Sequence, residues 1–343
     1  MSQKKTFKVR NRIITPGGKT FIISEIGINH SGNLKKCLEM IKKSKNSGAD
    51  AIKLQTINPD LSYGKDTISY NVFKNTNFDD KDLFKIINFT KNLGLIFIST
   101  PGSFEEIDKL AKFNCDVIKI SSGLMTNYPL ISYAAKKFRS LIISTGMAYQ
   151  KEITEALKAC GSNKNVALLK CTSLYPAPDK DINLNSIKTF QKKFNNIIGF
   201  SDHTKDYISC MAAVANGAKI IEKHFTLNSK QKGKDHHISL EPPAFKSMVQ
   251  KIRRIENMLG SREIKPVKDE IKNRRNFHRY IVAKKIIKKG EKFSKNNLSL
   301  KRLNNPSRNY LEPKYYNYLL NRVSKITIHE NCAIKKNEIK KKN

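Results

Sequence analysis

Two histidines, each placed just past an apolar run, frame the chemistry open to this chain. They lie in residues 199–224, GFSDHTKDYISCMAAVANGAKIIEKH. Residues 197–201 read as a short strand, with His203 two positions beyond it. Residues 205–216 have helical spacing and Gly217 stops them. Residues 218–222 read as the next strand, followed by His224. A strand–helix–strand unit makes its strands parallel, so both imidazoles sit on one rim of a sheet. Two imidazoles brought together in this way suit a divalent metal; capping or packing is the alternative role for either one alone.

The elements that must position them alternate along the chain. Strands are expected at 21–25, 51–55, 95–100, 117–120, 141–144, 167–170, 197–201 and 218–222. Helical stretches lie between them, and residues 243–259 supply an eighth helix. Eight β/α repeats in about 260 residues is the count of a (β/α)₈ TIM barrel. An open doubly wound sheet is the alternative, but no GxGxxG follows the first strand. Residues 7–15 and 20–24 read as a hairpin around Pro16-Gly17-Gly18 that leads into the first strand. The longest gap, residues 57–79, would be a βα loop on the catalytic rim, able to act as a lid. Residues 261–278 are charged, lack periodicity and read as a linker. Residues 279–343 read as a small β-rich domain with a frayed end, KKNEIKKKN.

Composition narrows the function classes. The chain has 343 residues, 39% of them hydrophobic, enough for one large domain and a small one. No apolar run approaches a membrane span, and MSQKKTFKVR has no signal-peptide core. Neither a membrane partner nor export is therefore expected. Cys37, Cys115, Cys160, Cys171, Cys210 and Cys332 are scattered without a CxxC pair, which suits reduced thiols in a cytoplasm. The formal charge of +36 raises the question of nucleic acid. The lysines are spread over every helix rather than gathered in a stripe, and no stacking motif accompanies them. No nucleic-acid partner is expected; the field would instead attract phosphorylated substrates.

In a barrel the active site forms at the carboxyl ends of the strands. There the sequence offers Glu25, Lys53, Gln55, Ser99, Thr100, Lys119, Ser122, Ser144, Lys170, Ser173, Tyr175, Ser201, His203, Glu222 and His224. Lys53, Lys119 and Lys170 with several hydroxyls suit a phosphate or carboxylate ligand. A lysine Schiff base is a further possibility, less in keeping with the histidine pair.

The ordered segments SEIGINHSGNL, GADAIKLQT, IKISSG, ISTGM, KCTSLYPAP, GFSDHT and EKHFT resemble the sialic acid (nonulosonate) synthases over nearly the whole chain. Residues 279–343 resemble the antifreeze-like (SAF) domain of that family. The resemblance implies condensation of phosphoenolpyruvate with N-acetylmannosamine or a related acetamido hexose. It implies Mn²⁺ or Mg²⁺ on His203 and His224. Lys53, Lys119, Ser122, Ser144 and Ser201 would bind phosphoenolpyruvate, with Ser173 and Tyr175 lining the site. Glu25 and Asp235 would contact the acceptor, Glu25 as a proton-transfer group. Arg302 would reach in from a partner subunit, which implies a domain-swapped homodimer. Leu124 stands where many members carry Glu or Asp, Gly102 where an aromatic often follows Thr-Pro, and Ser173 where some have Asn. The acceptor is thereby left open. A silent basic barrel holding a polyanion and a Schiff-base aldolase stand as the alternative functions.

Overall fold

The computed structural model describes residues 5–161 and 165–340. The chain divides into two compact units, residues 1–260 and 261–343.

The first unit opens on a hairpin, β1 (Phe7–Val9) and β2 (Arg12–Ile14). Its turn is at Arg10-Asn11, not at Pro16-Gly17-Gly18 as the sequence suggested, and Phe7 pairs with Ile14. Residues 21–24 fall in the barrel wall. Burial explains the difference: Phe7, Val9 and Ile14 join the apolar cluster inside the barrel, so the hairpin folds on itself to plug that interior.

The strands are β3 (Phe21–Gly27), β4 (Ala51–Gln55), β5 (Ile96–Thr100), β6 (Val117–Ile120), β7 (Leu141–Ser144), β8 (Val166–Cys171), β9 (Ile197–Asp202) and β10 (Ile220–His224). All pair in parallel, and β10 closes the barrel by pairing with both β9 and β3. The helices are α1 (Leu34–Asn46), α2 (Pro59–Ser62), α3 (Ile68–Phe73), α4 (Asp80–Asn92), α5 (Phe104–Lys112), α6 (Tyr128–Lys137), α7 (Gln150–Ala159), α8 (Ser186–Lys193), α9 (Ile208–Ala215) and α10 (Pro242–Leu259). The short α2 and α3 occupy the long segment after β4.

Both faces of each strand are buried. Ile22, Ile52, Phe97, Ile118, Leu168, Ile198 and Ile221 pack outward against helices. Ile23, Ala51, Ile98, Val117, Ile142, Leu169 and Ile220 fill the interior. Such strands read as continuous apolar runs, which is why they stand out in the sequence. Towards their carboxyl ends the inward positions of the same alternation turn polar.

The second unit contains α11 (Lys268–Phe277), β11 (Arg279–Ala283), β12 (Leu298–Arg302) and α12 (Tyr316–Leu319). Helix α11 lies within the segment expected to be a linker. Strands β11 and β12 pair antiparallel, over a core that includes Ile281, Phe293, Leu319 and Ile334. Of the tail expected to fray, residues 341–343 lie outside the described residues. No described helix is long and apolar enough to cross a membrane.

Candidate active site

The inward alternation gathers a buried ionic cluster at the carboxyl end of the barrel. Lys53 Nζ lies 2.7 Å from Glu25 Oε1 and 3.7 Å from Glu222 Oε1. Lys119 Nζ donates to both oxygens of Glu222 at 2.8 Å. Ser201 Oγ donates to Glu222 Oε1 at 3.1 Å, and Gln55 Nε2 to Glu25 Oε1 at 2.9 Å. Burial alone would raise the Glu222 pKa, but Lys119 and Lys53 hold it down to about 2. Burial raises that of Glu25, with Lys53 opposing and Glu222 assisting. Lys119 is lowered by burial and Lys53 is raised against burial by the two glutamates. Glu222 is thus the fixed anion of the cluster, and Glu25 is the carboxyl disposed to hold a proton. Glu222 was visible on the rim in the sequence, but nothing in its spacing revealed that it pairs with both lysines.

Lys170 does not join them. It has the outward parity of Leu168, and its Nζ donates to Thr172 Oγ1 at 2.7 Å. A period of two sends alternate residues to opposite faces, so a strand-end lysine points inward only in step with the interior residues. The inward neighbour is Cys171, whose Sγ lies 3.7 Å from His203 Nδ1.

Across the mouth the serines form a cradle. Ser122 Oγ accepts from the Gly146 N–H at 3.0 Å. A Cβ on Gly146 would lie 2.2 Å from Ser173 Oγ and 2.7 Å from Ser122 Oγ, so only glycine lets the hydroxyls close on the backbone. The Oγ atoms of Ser144 and Ser173 are buried without a partner, as are Thr100 Oγ1 and Glu25 Oε2. Buried polar atoms are normally paired, so these strand-end groups are left free to take up a polar ligand. Gly146→Ala is expected to raise the KM for an anionic substrate at least about tenfold while leaving the melting temperature within a few degrees, because its methyl displaces two hydroxyl donors. An unchanged KM would remove these serines from the site.

The histidines meet as their strands require. Their ring centroids are 5.4 Å apart, and Tyr175 stacks on His203 at 4.1 Å, half-exposed above it. His203 Nδ1 donates to the Thr172 carbonyl at 2.8 Å, so in the neutral ring Nε2 carries the lone pair. His224 Nδ1 is buried without a hydrogen bond, 3.7 Å from Asp235 Oδ2. Burial, then His203 and the lysines, keep the His224 pKa well down, so its imidazole is neutral with a free lone pair. Burial also opposes a proton on His203, but Cys171, Thr172 and Glu222 outweigh it and raise its pKa. The orphaned nitrogen and the oriented partner fit a divalent cation. Among the described residues no three His, Cys, Asp or Glu side chains form a complete ligand set, so substrate or water would fill the remaining positions.

The sequence departures have local reasons. Leu124 packs partly buried against the core and brings no polar group. A Cβ on Gly102 would lie 2.2 Å from Ser62 Oγ, so an aromatic there would displace the segment after β4.

A model of the NeuB family matches residues 40–264, and one of the SAF domain matches residues 278–340. The chain belongs to the NeuB family. An N,N'-diacetyllegionaminic acid synthase of Campylobacter jejuni is 37% identical, over 83% of this chain and 90% of that protein. A pseudaminic acid synthase of the same species is 35% identical, over 94% and 97%. Among solved structures, an N-acetylneuraminic acid synthetase of Leptospira borgpetersenii aligns with a TM-score of 0.75 and 32% identity, over 79% of this chain and 95% of that one. In this NeuB family chain Arg302 closes β12 in the SAF unit. Its Nε donates to the Asn276 carbonyl at 2.7 Å, and its guanidinium lies 4.0 Å from the Phe277 ring centroid.

Proposed function

We infer that the protein is a nonulosonic acid synthase that condenses phosphoenolpyruvate with N-acetylmannosamine or a related acetamido hexose. C3 of phosphoenolpyruvate attacks the aldehyde carbon of the open sugar, and water attacks C2. The bond from C2 to the bridging oxygen then breaks, and phosphate leaves with that oxygen. The observation that carries this reading is the pair of buried lysines facing orphaned hydroxyls across one barrel mouth, beside the two histidines. Lys53, Lys119, Ser122, Ser144, Ser173 and Ser201 bind the donor's phosphate and carboxylate, which take over the amines from Glu222 and Glu25. Tyr175 covers the histidines. Glu25, with its raised pKa, moves the proton at the aldehyde oxygen, and Asp235 holds acceptor hydroxyls. His203 and His224 would hold Mn²⁺ or Mg²⁺, which when bound supplies Lewis-acid polarisation of the aldehyde. The free cysteines, five of them buried, suit a reducing cytoplasm.

Incubation with phosphoenolpyruvate, Mn²⁺ and a panel of acetamido hexoses tests the reaction. Phosphate should appear only with the right sugar, and in ¹⁸O-water the label should enter C2 of the product, not phosphate. Salt-dependent DNA retention without phosphate release would favour the silent basic barrel. Borohydride trapping on a lysine would favour the aldolase.

The active form in this reading is a domain-swapped homodimer in which Arg302 of one subunit serves the other's barrel. A planar fork of donors suits the carbonyl and hydroxyl oxygens of an acetamido sugar. After verified subunit exchange, Arg302→Ala mixed with His203→Ala should regain part of the lost activity, since one site of each mixed dimer is intact. Exchanged heterodimers without any recovery would rule out delivery in trans.

A further inference from the structure

Behind the histidines, on the outer face of the same strands, lies a buried polar cluster whose bonds run to one another. Lys223 Nζ is 2.8 Å from Asp202 Oδ2, and both side chains are 0% exposed. Asp202 Oδ1 accepts from the Thr204 N–H at 3.0 Å, and Oδ2 accepts from the Thr204 hydroxyl at 3.0 Å. The Cys210 thiol of α9 also donates to Oδ2, at 3.3 Å. Lys223 donates in turn to the Thr204 carbonyl.

Ser209 Oγ of α9 lies 3.2 Å from the Thr204 hydroxyl, and around this group the outer face is apolar, with Ile198, Phe200 and Ile221 packed against the helices. A buried ion pair is a poor way to gain stability, since apolar residues of similar volume often serve a core as well or better. What it adds here is geometry. Asp202 and Lys223 are directly opposed in the β9–β10 register. Asp202 and Thr204 flank His203 in the chain, and Lys223 precedes His224. The pair therefore ties the point where β9 releases the chain to the last turn of the pleat in β10. Alternation turns the intervening imidazoles to the inner face.

We propose that Asp202, Lys223 and Thr204 are positioning residues, an outer-face clamp that fixes the separation of the His203 and His224 imidazoles and so sets the affinity of the mouth for a divalent cation. This rests on reading the histidines as a cation site. Groups that orient metal ligands from behind typically change affinity 10- to 100-fold when lost.

The test uses the full chain with Asp202→Asn and Lys223→Met combined, so that no charge is left unpaired. Three quantities are measured: melting temperature, phosphoenolpyruvate affinity without metal, and Mn²⁺ affinity by electron paramagnetic resonance of the free ion. The expected result is a folded protein with phosphoenolpyruvate affinity within about twofold of wild type and Mn²⁺ affinity weaker by about 10- to 100-fold. Wild-type Mn²⁺ affinity in the folded variant overturns the clamp. So does a parallel loss of both affinities with a falling melting temperature, which marks general destabilisation. Should the double variant not fold, Thr204→Val, which removes only the hydroxyl, should weaken Mn²⁺ binding several-fold, and an unchanged value overturns the proposal. Wild-type protein that binds no Mn²⁺ sinks the cation reading itself, whereas equal binding in wild type and variant sinks the clamp alone.

Discussion

His203→Ala and His224→Ala should each lose turnover by about a thousandfold or more, and wild-type protein treated with EDTA should fall to the same floor until Mn²⁺ or Mg²⁺ is restored. A bound cation contributes several kcal/mol of transition-state stabilisation, and about 4 kcal/mol is a thousandfold in rate. If His203 and His224 hold the cation, each imidazole is a major part of the protein's share of the ligand set, and truncating one would leave the cation poorly held. The fold should survive, because His203 and His224 lie at strand ends and neither belongs to the apolar clusters that fill the barrel. Circular dichroism and Mn²⁺ titration separate the outcomes: native spectra with weak Mn²⁺ binding are expected. Full activity in either variant after metal is stripped would return both residues to packing.

Lys119→Ala should damage both stability and donor use, for separable reasons. Lys119 gives Glu222 two hydrogen bonds at 2.8 Å, while Lys53 stays 3.7 Å away. Removing one partner of a buried pair typically costs about 3–5 kcal/mol, because the other charge stays buried. A bond to a charged group is worth about 1.5–3 kcal/mol, so phosphoenolpyruvate KM should rise by about 10- to 100-fold. Adding Glu222→Gln should restore much of the melting temperature but not the KM. Recovery of both would mean that Lys119 serves structure only, and a wild-type KM in the single variant would mean that the pocket has been misplaced. Acid unfolding offers an independent check. The Glu222 pKa is held below its ordinary value, so its stabilising contribution is complete above pH 4.5 and is lost as pH falls from there towards about 2. That part of the acid transition should be absent from Lys119→Ala/Glu222→Gln.

The barrel was legible in the sequence because strands buried on both faces must be apolar throughout, and the eight runs announce themselves at regular spacing. The histidine pair was legible for the same reason: one β/α unit brings its two strand ends to one rim by connectivity alone. The family resemblance added an expected donor-site role for particular residues.

Only the tertiary structure decided which strand-end groups share the mouth. Lys119 and Lys170 occupy similar places near their strand ends, yet one points into the barrel and the other out, because facing depends on phase against the interior residues and not on distance from the strand end. Glu222 and Lys119 are 103 residues apart, and their bond exists only because closure brings β6 and β10 to opposite walls of one interior. The hairpin shows the same limit: Pro16-Gly17-Gly18 is the stronger local turn signal, but burying Phe7, Val9 and Ile14 in the barrel outweighed it. Sequence determined the eight barrel strands and the helices between them, since their periodicity is carried by neighbours in the chain. Closure decided which charges meet, since a buried ion pair is selected by the whole interior that surrounds it.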